Sequence, residues 1–215
     1  SDVYKRQIEA LAEEGTPVLA ADVRPLPHEL AQRCVAVLTG AEGDVTSPAF
    51  VERAAQFPIG QIFHLAAVLS TAAERDPVRA HRVNVDGTLA VLSLAQQRGE
   101  QARHPVQVMF PSTIAVYGFG SLEEKQRVSA VREDQALHPH TLYGIAKLHC
   151  ERLGEYYTNH YMQLAGEARW VDFRALRFPG LISAETLPSG GTSDYAPEML
   201  HAAAQGIPYR CFVRP

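Results

Sequence analysis

The chain has 215 residues, 46% of them hydrophobic and 20% charged, with a formal net charge of −4. That suffices for one substantial core and part of a second lobe, while the mixed charges offer neither a basic stripe for nucleic acid nor a polybasic patch for a membrane surface. The three cysteines (Cys34, Cys150, Cys211) have neither disulfide-framework nor zinc-ligand spacing, and no apolar run approaches a membrane span or the core of a signal peptide; the expectation is a reducing cytoplasm without a structural metal.

Ile8, Leu11 and Ala12 form a short helical stripe that Gly15 ends. Pro17 to Val23 reads as a buried strand with Asp22 at its end, and Cys34 to Leu38 as a second. Ser47-Pro48 opens a helix, with serine as cap and proline at the first helical position. Phe50, Val51 and Ala54 supply its buried side, and Gln61 to Ala67 reads as a third strand. Val83, Gly87, Ala90, Val91 and Leu94 mark the inner face of a long helix, followed by a strand over Val106 to Phe110. The segment from Phe119 to Pro139 is polar and irregular, and is expected to be a surface excursion over a site. Leu142, Ala146, Cys150, Leu153 and Tyr157 stripe a further helix, Val171 to Phe178 is a strand, and Tyr209 to Val213 reads as another.

Strands alternating with helices of this length predict right-handed βαβ units and a parallel, doubly wound α/β sheet of the Rossmann-like kind. Residues 1–180 are expected to form it, and 181–215 to begin a small C-terminal substrate lobe. Such folds usually open with a strand and a glycine-rich turn that brings backbone amides to a pyrophosphate. No such turn is present; Gly118-Phe-Gly120 lacks the third glycine. The sequence therefore reads as a fragment lacking the first strand and its glycine-rich loop, and stopping short of a finished second lobe. As such it is expected to bind a dinucleotide poorly.

Tyr143 and Lys147 in His-Thr-Leu-Tyr-Gly-Ile-Ala-Lys lie one helical turn apart and share a face. A nearby ammonium favours phenolate, which makes tyrosine a usable general base. Ser112 and Thr113 close an apolar run about thirty residues upstream, where a hydroxyl can hold a substrate oxygen in line. Together these groups can move a proton on and off an alcohol while another group takes a hydride. Taken alone the pair also fits a surface tyrosine packed along a lysine stem.

Six segments, these two pairs among them, fall in a recognisable order: Asp22-Val-Arg, Gly43-Asp44-Val45, His64-Leu-Ala-Ala67, Val83-Asn84-Val-Asp-Gly87-Thr, Pro-Ser112-Thr113-Ile-Ala-Val-Tyr117-Gly118 and Tyr143-Gly-Ile-Ala-Lys147. In these the chain resembles the extended short-chain dehydrogenase/reductase family of NAD-dependent epimerases and dehydratases. His64 to Pro77, Arg174 to Ser183 and Ser189 to Ala196 look like the short-chain type of L-threonine 3-dehydrogenase.

The resemblance implies NAD as cofactor and a secondary alcohol as substrate, most nearly L-threonine oxidised at its β-hydroxyl. The alternative is an NDP-sugar epimerase or dehydratase with tightly held NAD, and a non-catalytic NAD-binding protein is a third reading. It implies Tyr143 as base, Lys147 lowering its pKa and bonding the nicotinamide ribose, and Thr113 orienting the substrate oxygen beside Ser112. Thr113 is otherwise a strand-end turn residue. Asp22 would bond the adenine-ribose hydroxyls and favour NAD over NADP, although Arg24 stands near and Asp22 can equally cap a turn. Asp44 and Val45 would line the adenine pocket, or Asp44 is a helix-start acid. Leu65, Ala66 and Ala67 would pack near the cofactor, or be plain buried strand. Asn84 would brace the central strands, and Phe178 would flank the cofactor. Ser70, Gly190 and Thr192 are candidates for holding an amino acid's charged groups, or form a ligand-free polar loop. His64 is expected to be packed and satisfied rather than catalytic. The expected partner is a small-molecule substrate, with no nucleic acid or membrane, and the chain is expected to form a homodimer.

Overall fold

The structure is a computed structural model that describes residues 2–181, 191 and 194–211, and side chains from residue 5 onward. Helix α1 (Asp2–Glu13) stops where Gly15 adopts φ +74°, with Gly15 N donating to Ala12 O and Thr16 N to Leu11 O. These two reversed bonds satisfy the helix's last carbonyls. Strands β1 (Leu19–Ala21) and β2 (Ala36–Leu38) follow, separated by the short α2 (His28–Ala31). They pair in parallel, and Asp22 N donating to Leu38 O carries the ladder to the end of β1.

Helix α3 (Pro48–Ala54) begins as its sequence predicts, with Ser47 Oγ accepting from Ala49 N and Pro48 inside the first turn. The third strand is shorter than expected: β3 covers Gln61–Phe63 instead of reaching Ala67. Leu65 N donates back to Phe63 O, a tight turn that takes Leu65, Ala66 and Ala67 off the ladder. Two short helices, α4 (Ser70–Arg75) and α5 (Pro77–His81), precede a π turn at Arg82–Asp86. The long helix α6 (Gly87–Ala102) starts only after it, a break that the apolar spacing does not reveal.

Strand β4 (Val106–Thr113) alternates strictly between buried and half-buried positions, and β5 (Val171–Phe178) has the predicted bounds. Both run in parallel with β3, in the order β3-β4-β5. Among the described residues the sheet is thus in two parts, β1-β2 and β3-β4-β5, with parallel pairing in both. The core packs α3, α6 and α8 (Leu142–Asn159) against these strands through Leu92, Leu94, Val106 and Val108, all essentially without solvent exposure. Fully burying a side chain of that size contributes about 1.5–3 kcal/mol.

The 119–139 excursion is not wholly irregular. It contains α7 (Leu122–Arg127), capped by Ser121 Oγ accepting from Glu124 N. After β5 comes α9 (Tyr195–Ala204). The strand expected from Tyr209 is not formed over Tyr209–Cys211, and Phe212 and Val213 lie outside the described residues.

Candidate active site

Parallel strands present their carboxyl ends on one edge, where open α/β sheets bind ligands. Asp22 follows β1, His64 follows β3, Ser112 and Thr113 end β4, and Phe178 ends β5. The register sets Thr113 opposite Phe178 and Ser112 opposite Arg177.

Thr113 Oγ1 accepts from Ala115 N and so caps the tight turn after β4. That turn meets α8 at Gly144, where a β-carbon would lie 2.1 Å from Ala115 O. Only glycine permits this approach, which places Tyr143 beside the turn that Thr113 begins. At the start of α8 Thr141 Oγ1 accepts from Gly144 N, and Glu74 of α4 accepts from Leu142 N at 2.8 Å. A carboxylate at a helix N-terminus is electrostatically favoured. Glu74 therefore ties the helix carrying Ser70 to the helix carrying Tyr143.

Lys147 is 3% exposed. Its Nζ donates to Pro111 O at 2.7 Å and sits 4.3 Å from the Phe110 ring centre and 5.7 Å from that of Tyr143. An ammonium has three donors, and the other two meet no oxygen among the described residues. Burial pulls its pKa from 10.5 down to about 8. The Tyr143 phenol differs from the expectation: burial pushes its pKa up instead of Lys147 bringing it down. The physical reason is that Nζ bonds the Pro111 carbonyl and lies over ring surfaces, so desolvation of the phenolate wins.

His64 matches its expectation. It is buried against Thr88 Oγ1 at 3.0 Å, and burial, with the Lys147 charge, pulls its pKa to about 3, so it is neutral. Asn84 braces a loop rather than the central strands: its amide accepts from Val68 N and donates to Val68 O, between β3 and α4. Asp22 Oδ1 accepts from Arg24 N, and Asp44 Oδ1 accepts from Thr46 N and Oγ1, so both carboxylates shape their own turns. Gly43 lets these turns meet, since a β-carbon there would lie 2.2 Å from Asp22 O. Val45 is buried, Leu65 and Ala67 half-buried and Ala66 exposed. Ser70 is buried at the first position of α4. Gly190 and Thr192 lie outside the described residues.

Three residues beside the site were given no role by the sequence reading. Glu151 pairs with Arg177 through Oε2 and Nη2 at 2.6 Å, and Arg177 Nη1 donates to Tyr117 OH at 2.8 Å. Burial opposes the Glu151 charge, but bonds from Arg177 and Ser112 hold its carboxyl below the ordinary range. The available signal was the spacing Tyr143, Lys147, Glu151, which repeats every four residues along one helix face.

A parallel α/β fold with a threonine at the end of β4 and a tyrosine and lysine on the helix packed against that end has the organisation of the short-chain dehydrogenase/reductase type. More particularly, the NAD dependent epimerase/dehydratase family matches residues 5–210, and the chain belongs to that family. It is 35% identical over 154 residues to the mitochondrial L-threonine 3-dehydrogenase of Bos taurus, covering 72% of this chain and 36% of that protein. To the D-erythronate dehydrogenase of Cupriavidus necator it is 33% identical over 189 residues, covering 88% and 52%. Among solved structures, the GalE-like L-threonine dehydrogenase from Cupriavidus necator, in its holo form, superposes with a TM-score of 0.78. That match has 30% identity and covers 100% of this chain and 63% of the other. The chain thus spans between about a third and two thirds of the length of these relatives.

Proposed function

We propose that this chain carries the proton-transfer site of an NAD-dependent dehydrogenase that oxidises the β-hydroxyl of L-threonine to 2-amino-3-oxobutanoate. The observation that carries the proposal is the Gly144 contact, which packs the Tyr143 helix on the Thr113 turn with Lys147 buried beneath. The likeness to the cattle and Cupriavidus necator threonine dehydrogenases supports threonine as substrate.

The residues present fit a dinucleotide along the carboxyl edge. Asp22 and Asp44 close turns at its adenosine end, and Lys147 has two protons without an oxygen partner among the described residues. When bound, NAD supplies the hydride acceptor. Thr113 orients the substrate hydroxyl, and Tyr143 takes its proton as the carbinol carbon gives up hydride. Lys147 keeps positive charge next to the phenol as that proton moves. Phe178, opposite Thr113, walls the cofactor side. Ser70, Gly190 and Thr192 are assigned to the substrate's carboxylate and ammonium, whereas Ser112, buried and donating to Glu151, supports Thr113 from behind.

The likeness to D-erythronate dehydrogenase favours a second reading, a four-carbon hydroxy acid oxidised by the same groups. Following NADH absorbance with L-threonine and with D-erythronate separates the two. NADH from threonine alone supports the first reading and NADH from erythronate alone the second. Bound NAD without net NADH from either acid would count against both and leave an epimerase that returns its hydride, another alcohol, or a non-catalytic NAD-binding protein.

A further inference from the structure

Arg177 gathers four of its five N–H groups onto protein oxygens beside the proton-transfer groups. Nε and Nη2 donate to the two carboxylate oxygens of Glu151 at 2.9 and 2.6 Å. Nη1 donates to Tyr117 OH at 2.8 Å and to the Glu133 carbonyl at 2.7 Å, and the guanidinium lies 4.9 Å over the Tyr117 ring. Ser112 Oγ completes the cluster by donating to Glu151 Oε1 at 2.5 Å.

The end of β4, the turn after it, the excursion, α8 and β5 therefore meet at one ion pair. Its side chains are only 16% and 12% exposed, unlike the solvent-facing pairs of the surface. Two-pronged arginine–carboxylate geometry is both strong and directionally specific. Glu151 stands one turn beyond Lys147 and two beyond Tyr143, while Ser112 immediately precedes Thr113. The excursion is held at a second point by Gly118 N donating to Ala136 O.

We propose that Arg177 and Glu151 are positioning residues for the proton transfer. Their pair locks α8 to β5, is joined through Ser112 to the end of β4 and pins the 119–139 excursion, and so fixes Tyr143 relative to Thr113. The inference rests on Tyr143 being the general base. Neither residue touches the reacting atoms; both act through the groups that do. A lysine cannot replace Arg177, because one ammonium cannot reach two carboxylate oxygens, a phenol and a carbonyl with the same fixed fork.

The test uses the full-length protein with NAD and L-threonine, comparing Arg177→Gln, Arg177→Lys, Glu151→Gln and Tyr117→Phe. Arg177→Gln and Glu151→Gln are expected to lower kcat by roughly tenfold or more, with KM for NAD within about twofold, because misplacement costs the chemical step and not cofactor binding. Arg177→Lys is expected to recover only part of the loss, and Tyr117→Phe, which removes one bond, to fold normally and lose less. Limited trypsin digestion is the second readout: cutting after Lys125, Arg127 and Arg132 should accelerate in Arg177→Gln. A folded Arg177→Gln protein that keeps kcat within about twofold would overturn the proposal, as would unchanged cutting of the excursion. Digestion reads the pin whatever the substrate, so an inactive unaltered protein whose excursion still depends on Arg177 would count against the threonine reading and not against the pin.

Discussion

Replacing Lys147 with methionine should make the protein's stability respond differently to pH, in a direction that burial dictates. The ammonium is 3% exposed and its pKa falls from 10.5 to about 8, chiefly through desolvation. In the unfolded chain the amine stays protonated up to its ordinary value. Between those two values the unfolded state holds the extra proton, so stability rises with pH across that window, and below it the buried charge is a cost. At about 1.4 kcal/mol per pKa unit, the folded protein should gain about 2–3 kcal/mol between about pH 7 and about pH 10 relative to a chain lacking the amine. Methionine has similar bulk and no titratable proton, and it gives up the bond to Pro111 O at both pH values. The assay is urea unfolding of the full-length protein and Lys147→Met at both pH values. Groups that do not sense the Lys147 charge cancel in the difference, whereas Cys150, whose thiol burial pushes up and the Lys147 charge pulls back, adds its own part to it. Parallel pH dependence in the two proteins would show that the buried ammonium carries no desolvation cost.

Gly144→Ala forces a β-carbon against Ala115 O, so α8 must move away from the Thr113 turn; kcat should fall by roughly 10- to 100-fold with the fold retained, read by steady-state NADH formation beside circular dichroism. Asp22→Asn removes the carboxylate at the end of β1, and the preference for NAD over NADP should shrink by roughly tenfold in kcat/KM. Its turn should persist, because an asparagine oxygen can still accept from Arg24 N.

Much of the fold was legible where one local pattern governs one element. The Ser47-Pro48 cap, the Gly15 stop and the bounds of β5 follow from neighbouring residues alone. The overrun at β3 has a definite cause: Leu65-Ala-Ala is as apolar as the strand before it, but a backbone bond two residues back turns it away. No side-chain period records such a bond, nor the π turn at Arg82–Asp86.

The site divides the same way. Tyr143 and Lys147 declare themselves by spacing within one helix. Glu151 and Arg177 sit 26 residues apart on different elements, and their pairing depends on the register that sets Arg177 opposite Ser112. The direction of the Tyr143 shift was also beyond a sequence reading. It turns on where Nζ points, and Nζ bonds the Pro111 carbonyl. Glu74 reaching Leu142 N from 68 residues away is a third case of function-bearing geometry without a local signature.

The central claim is that Tyr143 moves the substrate proton in an NAD-dependent alcohol oxidation. Its most direct test follows NADH formation from NAD and L-threonine by the full-length protein and by Tyr143→Phe, with NAD affinity measured on both. The account predicts steady NADH from the first, loss of at least about a hundredfold in kcat from the second, and NAD affinity within a few-fold. Equal turnover by the two proteins would contradict it.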